Sequence, residues 1–428
     1  MLLRLRAGGA LEYAVYGAPL AKGAPAVVYH HGWPSSRHEA AFLHPHALEL
    51  GLSLVAINRP GVGRSTLDAR GFNFQTVADD VRQLLEHHGL RRVAFMGTSG
   101  GGPYACACAC LLPERAAAVC LMAGMTQTRE APGVLRGLSL SNRLMYHAIN
   151  YAPGAMGLTM GAGTAGLRLA GSVGLGPVAA AARKAAASAA RADGWSGAGG
   201  SGGAWRGAGG SGGGEGGGGG ASGRGGGAGG GAGAAVRGEA DASAEAPAAA
   251  AMAPAAAPAA AAAVKEGGGA GGRGAARSGW GLGLSAAATW LVLAAAGFSA
   301  VDRAAVARVM RERPEVAALM AGGSSEVAAQ GLEGLWRDMR LTSEPWGLPL
   351  GSITAPTFIW QGDCDQNVTV AMARHLAAAI PGAAGRLRIV PGAGHISLGL
   401  DHGAQALAEV AEVLRAQGDV AGKLEGQA

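Results

Sequence analysis

A chain of 428 residues has room for one large or two ordinary domains. Aromatic content is 5% and charged content 15%, both low, while 26 of the 77 glycines fall in residues 191–240, so a long Gly/Ala insert and not an odd core sets the composition. The formal net charge of +6 permits weak attraction to anions, but no Lys/Arg cluster is interleaved with aromatics, which argues against a nucleic-acid partner.

The five cysteines are Cys106, Cys108, Cys110, Cys120 and Cys364. They lack the paired spacing of a zinc site and read as small apolar residues in a reduced compartment, so no metal or cofactor is implied. The segment Met1–Arg6 is too short and too interrupted by arginine for a signal peptide. The apolar run 286–300 falls short of the roughly 20 residues a membrane span needs and reads as a buried or cap helix. The expected location is therefore the cytoplasm, without membrane insertion.

In chain order, Leu2 to Tyr16 alternates apolar and polar residues around Gly8-Gly9 and predicts a β-hairpin. Short buried strands follow at Ala26–Tyr29, running into His30-His31-Gly32-Trp33-Pro34, and at Leu52–Ile57, running into Asn58-Arg59-Pro60-Gly61-Val62-Gly63-Arg64-Ser65. Val77, Val81, Leu84 and Leu85 share a helix face. Strands then alternate with helices through Arg92–Met96, Gly102–Cys110 and Ala118–Met122, which argues a parallel α/β sheet with helices on both faces. Leu135 to Ala170 reads as helical in pieces. Residues 191–263 are Gly-rich and then Ala/Pro-rich, with Trp195, Trp205, Val236 and Met252 as their large apolar side chains. Such a stretch buries too little surface to offset its ordering entropy and is predicted to be a disordered insertion. Val306, Val309 and Met310 mark a further helix face, as do Leu332, Leu335, Trp336 and Met339. The sheet resumes at Pro356–Trp360 and Leu387–Val390, and a last helix turns Leu407, Val410, Ala411 and Leu414 inward.

The chemistry-bearing stretch is Gly97-Thr98-Ser99-Gly100-Gly101, set between a strand and a helix. This G-x-S-x-G pattern fits a nucleophile elbow, whose glycines let the chain double back while the serine is held clear. A serine hydroxyl needs a base and the base needs an orienting carboxylate. Asp365 follows one strand and His395 the next, so both fall beyond carboxyl ends of parallel strands on the same sheet edge as Ser99. Asp363 competes for the acid role but reads as a turn cap. His402 competes for the base but lies deeper in the last helix. The order Ser99, Asp365, His395 is the one this arrangement expects. An oxyanion calls for backbone donors, expected from the amides of Gly100 and Trp33. His31 reads as a hydrogen-bond partner of its own loop's backbone.

Together, His31-Gly32-Trp33-Pro34, Arg59–Ser65, Gly97–Tyr104, Gly362-Asp363-Cys364-Asp365 and Gly394-His395 resemble the α/β-hydrolase superfamily, in its serine-nucleophile branch with an H-G-x-P oxyanion loop. The resemblance covers roughly residues 1–125 and 300–415. It implies a mostly parallel eight-stranded sheet with a helical cap inserted after the sixth strand. It carries over Ser99 as nucleophile, His395 as base, Asp365 as acid, and Trp33 and Gly100 as oxyanion donors. Asn58 stands where the family often has aspartate, a change read as structural. Serine at the elbow argues against the epoxide hydrolase and haloalkane dehalogenase branches, which use a carboxylate.

The expected organisation is a core formed by residues 1–125 and 346–428, with a cap over 126–345. The expected activity is cleavage of a carboxylic ester or related acyl compound, on a small and hydrophobic substrate. Acyl transfer or lyase chemistry on the same fold, and a ligand receptor or scaffold that retains the pocket, are the alternatives.

Overall fold

A computed structural model describes residues 1–21, 24–67, 71–158, 297–327 and 329–425. The N-terminal hairpin forms as expected: β1 (Leu2–Arg4) pairs antiparallel with β2 (Ala10–Gly17), and Gly8 and Gly9 turn the chain at φ +90° and +83°. β3 (Ala26–His30), β4 (Ser53–Ile57), β5 (Val93–Thr98), β6 (Ala116–Met122), β7 (Thr357–Gly362) and β8 (Leu387–Val390) follow. They make one eight-stranded sheet in the order β1-β2-β4-β3-β5-β6-β7-β8. β2 runs antiparallel to both of its neighbours, and every pairing from β4 through β8 is parallel.

β3 through β7 are mostly apolar and, Thr98 apart, buried at every residue because both faces of the sheet are covered. Along β5, Val93 and Phe95 face one core, with α2 (Phe74–His87), α3 (Gly102–Leu111) and most of α8 (Val370–Ala379). Ala94 and Met96 face the other, with the 3-10 turn Arg37–Leu43, α1 (His44–Glu49) and α9 (His395–Glu425). α2 starts on a reciprocal cap: Asn73 accepts from the Thr76 amide at 2.9 Å, and Thr76 Oγ1 accepts from the Asn73 amide at 3.2 Å. Cys106, Cys108 and Cys120 are buried as small apolar residues, whereas Cys364 is exposed in the loop after β7.

Between β6 and β7 lie α4 (Leu140–Tyr151), α5 (Ala300–Glu312), α6 (Pro314–Val327) and α7 (Glu333–Ser343). The insert at 191–263 and most of the apolar run 286–300 lie outside the described residues. Among the described residues, no helix is long and apolar enough to cross a membrane.

Candidate active site

Ser99 stands one residue past β5 with φ +54°, a conformation that L side chains rarely adopt. The neighbouring glycines permit it. A methyl group on Gly97 would lie 2.4 Å from the Gly101 carbonyl oxygen, and one on Gly101 would lie 2.0 Å from the His30 carbonyl oxygen. The turn is therefore pressed against the end of β3, which carries the loop holding Trp33. A methyl on Gly32 would come to 3.1 Å from Ser99 Cβ, and one on Gly100 to 1.9 Å from Trp33 Cδ1. The loop after β3 and the serine turn thus form one closely packed unit. The Trp33–Pro34 peptide is cis, and the Trp33 ring meets Tyr146 of α4 edge-on at 6.2 Å. Among the described residues, no acceptor takes the Trp33 amide.

The second half of the site sits beyond β7 and β8. His395 Nδ1 and Asp365 Oδ2 lie 2.8 Å apart. The carboxylate can only accept, so Nδ1 carries the proton and Nε2 presents its lone pair. Asp365 is fully satisfied: Gln361 Nε2 also donates to Oδ2 at 3.1 Å, and the amides of Asn367 and Val368 donate to Oδ1 at 2.8 and 2.9 Å. Asp363 instead accepts from the Gly392 amide at 2.7 Å, joining its loop to the one after β8 and not capping its own turn. His402 pairs with Gln405 and stacks on Trp360, away from any carboxylate partner. Among the described residues, no hydrogen bond joins Ser99 Oγ to His395, a gap common before substrate is bound.

Burial alone would lower the His395 pKa. The Asp365 carboxylate, by charge and hydrogen bond, outweighs it and leaves the value raised, with Asp302 and Glu39 adding in the same direction. Asp302, at the start of α5, is buried and was not signalled as a site residue. Its Oδ1 accepts from the amides of Ile396 and Ser397 at 2.7 and 3.0 Å, capping the first turn of α9 directly beside His395. A methyl on Gly394 would lie 2.5 Å from both Asp302 oxygens, so a side chain there would displace the carboxylate.

Further groups grip the loop after β3. Glu39 Oε1 accepts from the Gly32 amide at 3.0 Å and from the Tyr29 hydroxyl at 2.8 Å, and Tyr29 also meets Thr98 Oγ1 at 2.8 Å. His31 Nδ1 donates to Gly32 O at 2.7 Å, which fulfils the expectation of a loop-bonding histidine. Burial, then the Arg59 cation, push the His31 pKa well below its ordinary value, so the ring is neutral. Arg59, fully buried, pairs with Asp338 of α7. Burial raises the Asp338 carboxyl above its usual value, against the opposing pull of Arg59 and the Tyr104 hydroxyl. Asn58 is structural, as expected: its Oδ1 accepts from the Arg37 amide and its Nδ2 donates to Glu12 and Glu326.

Signals for two of these residues stand in the sequence. Asp338 shares the apolar face of Leu335 and Met339, and Ser299-x-x-Asp302 is a capping box. Ser36-x-x-Glu39 has the same spacing, but it signals a helix start and not the bonds that Glu39 makes to Gly32 and Tyr29.

A family model described as alpha/beta hydrolase fold matches residues 25–147. Over those residues the chain is similar to this family, and its eight-stranded sheet is the α/β-hydrolase fold. Among curated proteins, the chain is 36% identical over 81 residues to the bifunctional esterase/perhydrolase DCH of Acinetobacter calcoaceticus, covering 19% of this chain and 29% of that one. It is 34% identical over 93 residues to a soluble epoxide hydrolase of Corynebacterium sp. (strain C12), covering 22% and 32%. The chain thus spans under a third of the length of these relatives. An alpha/beta hydrolase fold protein from Nakamurella multipartita is 16% identical with a TM-score of 0.49, over 97% of this chain and 99% of that one.

Proposed function

We propose that the protein is a serine hydrolase that cleaves a carboxylic ester of a small, apolar molecule. The observation that carries this reading is the 2.8 Å pairing of His395 with Asp365 on the sheet edge that also bears Ser99 at φ +54°. Ser99 Oγ attacks the carbonyl carbon and passes its proton to His395 Nε2. The carbonyl π electrons move onto oxygen, where the Trp33 and Gly100 amides receive the charge. Collapse breaks the ester C–O bond, and His395 returns the proton to the leaving alkoxide. Water then repeats the two steps on the acyl-enzyme and releases the acid. Asp365 holds the ring in the required tautomer and stabilises the imidazolium. Serine at the elbow separates this reading from the carboxylate-nucleophile chemistry of epoxide hydrolases, while the esterase relative accords with it. The core is assigned to residues 1–125 and 346–428, with a cap over 126–345.

A fluorophosphonate probe tests the assignment, applied to wild type and to Ser99→Ala and His395→Ala and located by mass spectrometry. Labelling confined to Ser99 and dependent on His395 is expected. An unlabelled, folded wild type refutes the activated nucleophile and favours a ligand receptor. Ser99→Ala with normal ester turnover refutes it as well.

A further inference from the structure

The carbonyl of Gly32 and the N–H of Trp33 belong to one planar peptide unit. That unit is trans, so the two groups point in opposite directions, and whatever holds the oxygen also aims the N–H. Gly32 O accepts from His31 Nδ1 at 2.7 Å and from Arg59 Nη2 at 3.2 Å, while Arg59 Nη1 donates to the preceding carbonyl, His31 O. Asp338 Oδ2 accepts from Arg59 Nε at 2.9 Å and Nη2 at 2.5 Å, and its Oδ1 accepts from the Tyr104 hydroxyl at 2.8 Å. The guanidinium lies 4.7 Å from the centroid of the Tyr104 ring.

A buried ion pair is a poor source of stability, because desolvating two charges costs about as much as their attraction returns. Its placement here points to another role. The rigid guanidinium fork reaches two successive carbonyls and a carboxylate at once, a task that a lysine ammonium cannot reproduce. A cation on the carbonyl end also draws electron density toward oxygen and leaves the N–H at the other end a stronger donor.

We propose that Arg59, anchored by Asp338 of α7, is a positioning residue that aims and polarises the Trp33 amide toward the developing oxyanion. The inference rests on the assignment of Trp33 as an oxyanion donor. It makes α7, which lies after the insert in sequence, part of the apparatus that stabilises the transition state.

The test uses the full chain with Arg59→Lys and Asp338→Asn beside wild type. Active sites are first counted with the fluorophosphonate probe. Then kcat and KM are measured on an activated ester, together with inhibition by an alkylboronic acid, whose boron becomes a tetrahedral anion on Ser99. A weakened oxyanion donor lowers kcat per active site about 10- to 100-fold, less than the roughly 10²- to 10³-fold of outright donor loss. KM is expected to stay within about threefold, because the ground-state carbonyl draws less on this amide than the oxyanion does. Affinity for the boronate should fall with kcat.

Variants that melt earlier but keep kcat per active site and boronate affinity show a merely structural pair and overturn the inference. Should neither fold, Tyr104→Phe removes only the hydroxyl bond to Asp338. A several-fold drop in kcat at unchanged KM supports the inference, and an unchanged kcat overturns it. Wild type inert to both probe and ester overturns the serine-hydrolase assignment and this inference together. Labelled wild type with unimpaired variants overturns the inference alone.

Discussion

Replacing Gly100 by alanine would set a methyl carbon 1.9 Å from Cδ1 and 2.1 Å from Nε1 of the Trp33 ring. Ordinary contact begins at 3.4 Å, so the ring must retreat by about 1.5 Å. Tyr146, only 2% exposed, stands edge-on against the ring, so retreat is costly. A shift of the ring carries the Trp33 backbone with it, while Ser99, His395 and Asp365 keep their own supports. Overpacking of this kind costs about 1–3 kcal/mol of stability. Loss of one oxyanion donor costs about 2.7–4 kcal/mol in the transition state, or roughly 10²- to 10³-fold in kcat. Gly100 adopts no left-handed backbone, so alanine adds steric bulk without backbone strain. The assay is kcat on an activated ester, normalised to active sites counted by fluorophosphonate. Gly133→Ala serves as control, because its methyl would meet nothing within 4 Å. A folded Gly100→Ala protein with kcat within about threefold of wild type would refute the placement of the oxyanion donors.

Two further outcomes follow from the titrating histidines. His395 must be neutral to act as base and its pKa is raised, chiefly by Asp365 against the effect of burial, so kcat/KM of wild type should rise through an ionisation above 6.5. In Asp365→Asn the inflection is expected to move down, with kcat lower by up to about 10⁴-fold from tautomer loss; an unmoved inflection in the pH–rate profile counts against the pairing. His30 is held neutral, with burial and then the Arg59 cation bringing its pKa to about 3 from 6.5. The unfolded chain therefore binds a proton that the native state refuses, and His30 alone lowers stability by about 2 kcal/mol by pH 5, a loss to which the likewise neutral His31 adds with the same sign. His395 has the opposite sign: its contribution is fully present below 6.5 and is lost as pH rises through its raised folded value, so it adds no slope in the acid window. Urea unfolding at pH 7 and pH 5 should show the acid loss in wild type and a smaller one in His30→Asn; equal losses would contradict the assignment to His30.

The parts of the site that local sequence can specify were legible. G-x-S-x-G announces a strand-turn-helix because only small residues survive where Gly97 meets the Gly101 carbonyl and Gly101 meets the His30 carbonyl. Asp365 and His395 could be placed because each follows a short apolar strand, and parallel strands deliver their ends to one edge. Asp363 follows the same strand, so strand ends alone did not set it aside, whereas His402 lies deeper in the last helix. Glu39 was legible only as part of a Ser36-x-x-Glu39 helix start: its carboxylate matters because the loop after β3 folds back to present the Gly32 amide, a contact no periodicity encodes. Gln361, which donates to Asp365, reads in sequence as the end of a strand. Arg59 lay in plain view inside a recognised loop, yet its partner Asp338 is 279 residues away along the chain.

That separation bears on how a long connection between α4 and α5 is compatible with a buried active site. The entropic cost of joining two elements grows only with the logarithm of the number of residues between them, about 0.6 kcal/mol per doubling. The returning segment must still dock in one register, and apolar burial alone fixes register weakly. Two buried carboxylates supply it. Asp302 accepts from the Ile396 and Ser397 amides beside His395, and Asp338 takes Arg59 and Tyr104 beneath the loop of Trp33. A slip of α5 or α7 by one residue would strand Arg59 as an unpaired buried cation and leave the first turn of α9 uncapped, each a penalty of several kcal/mol or more for the charge and about 1 kcal/mol for the cap. The same two contacts that lock the returning segment therefore hold the turn of His395 and the loop of Trp33, so a misdocked chain would also lose the placement that the proposed mechanism needs.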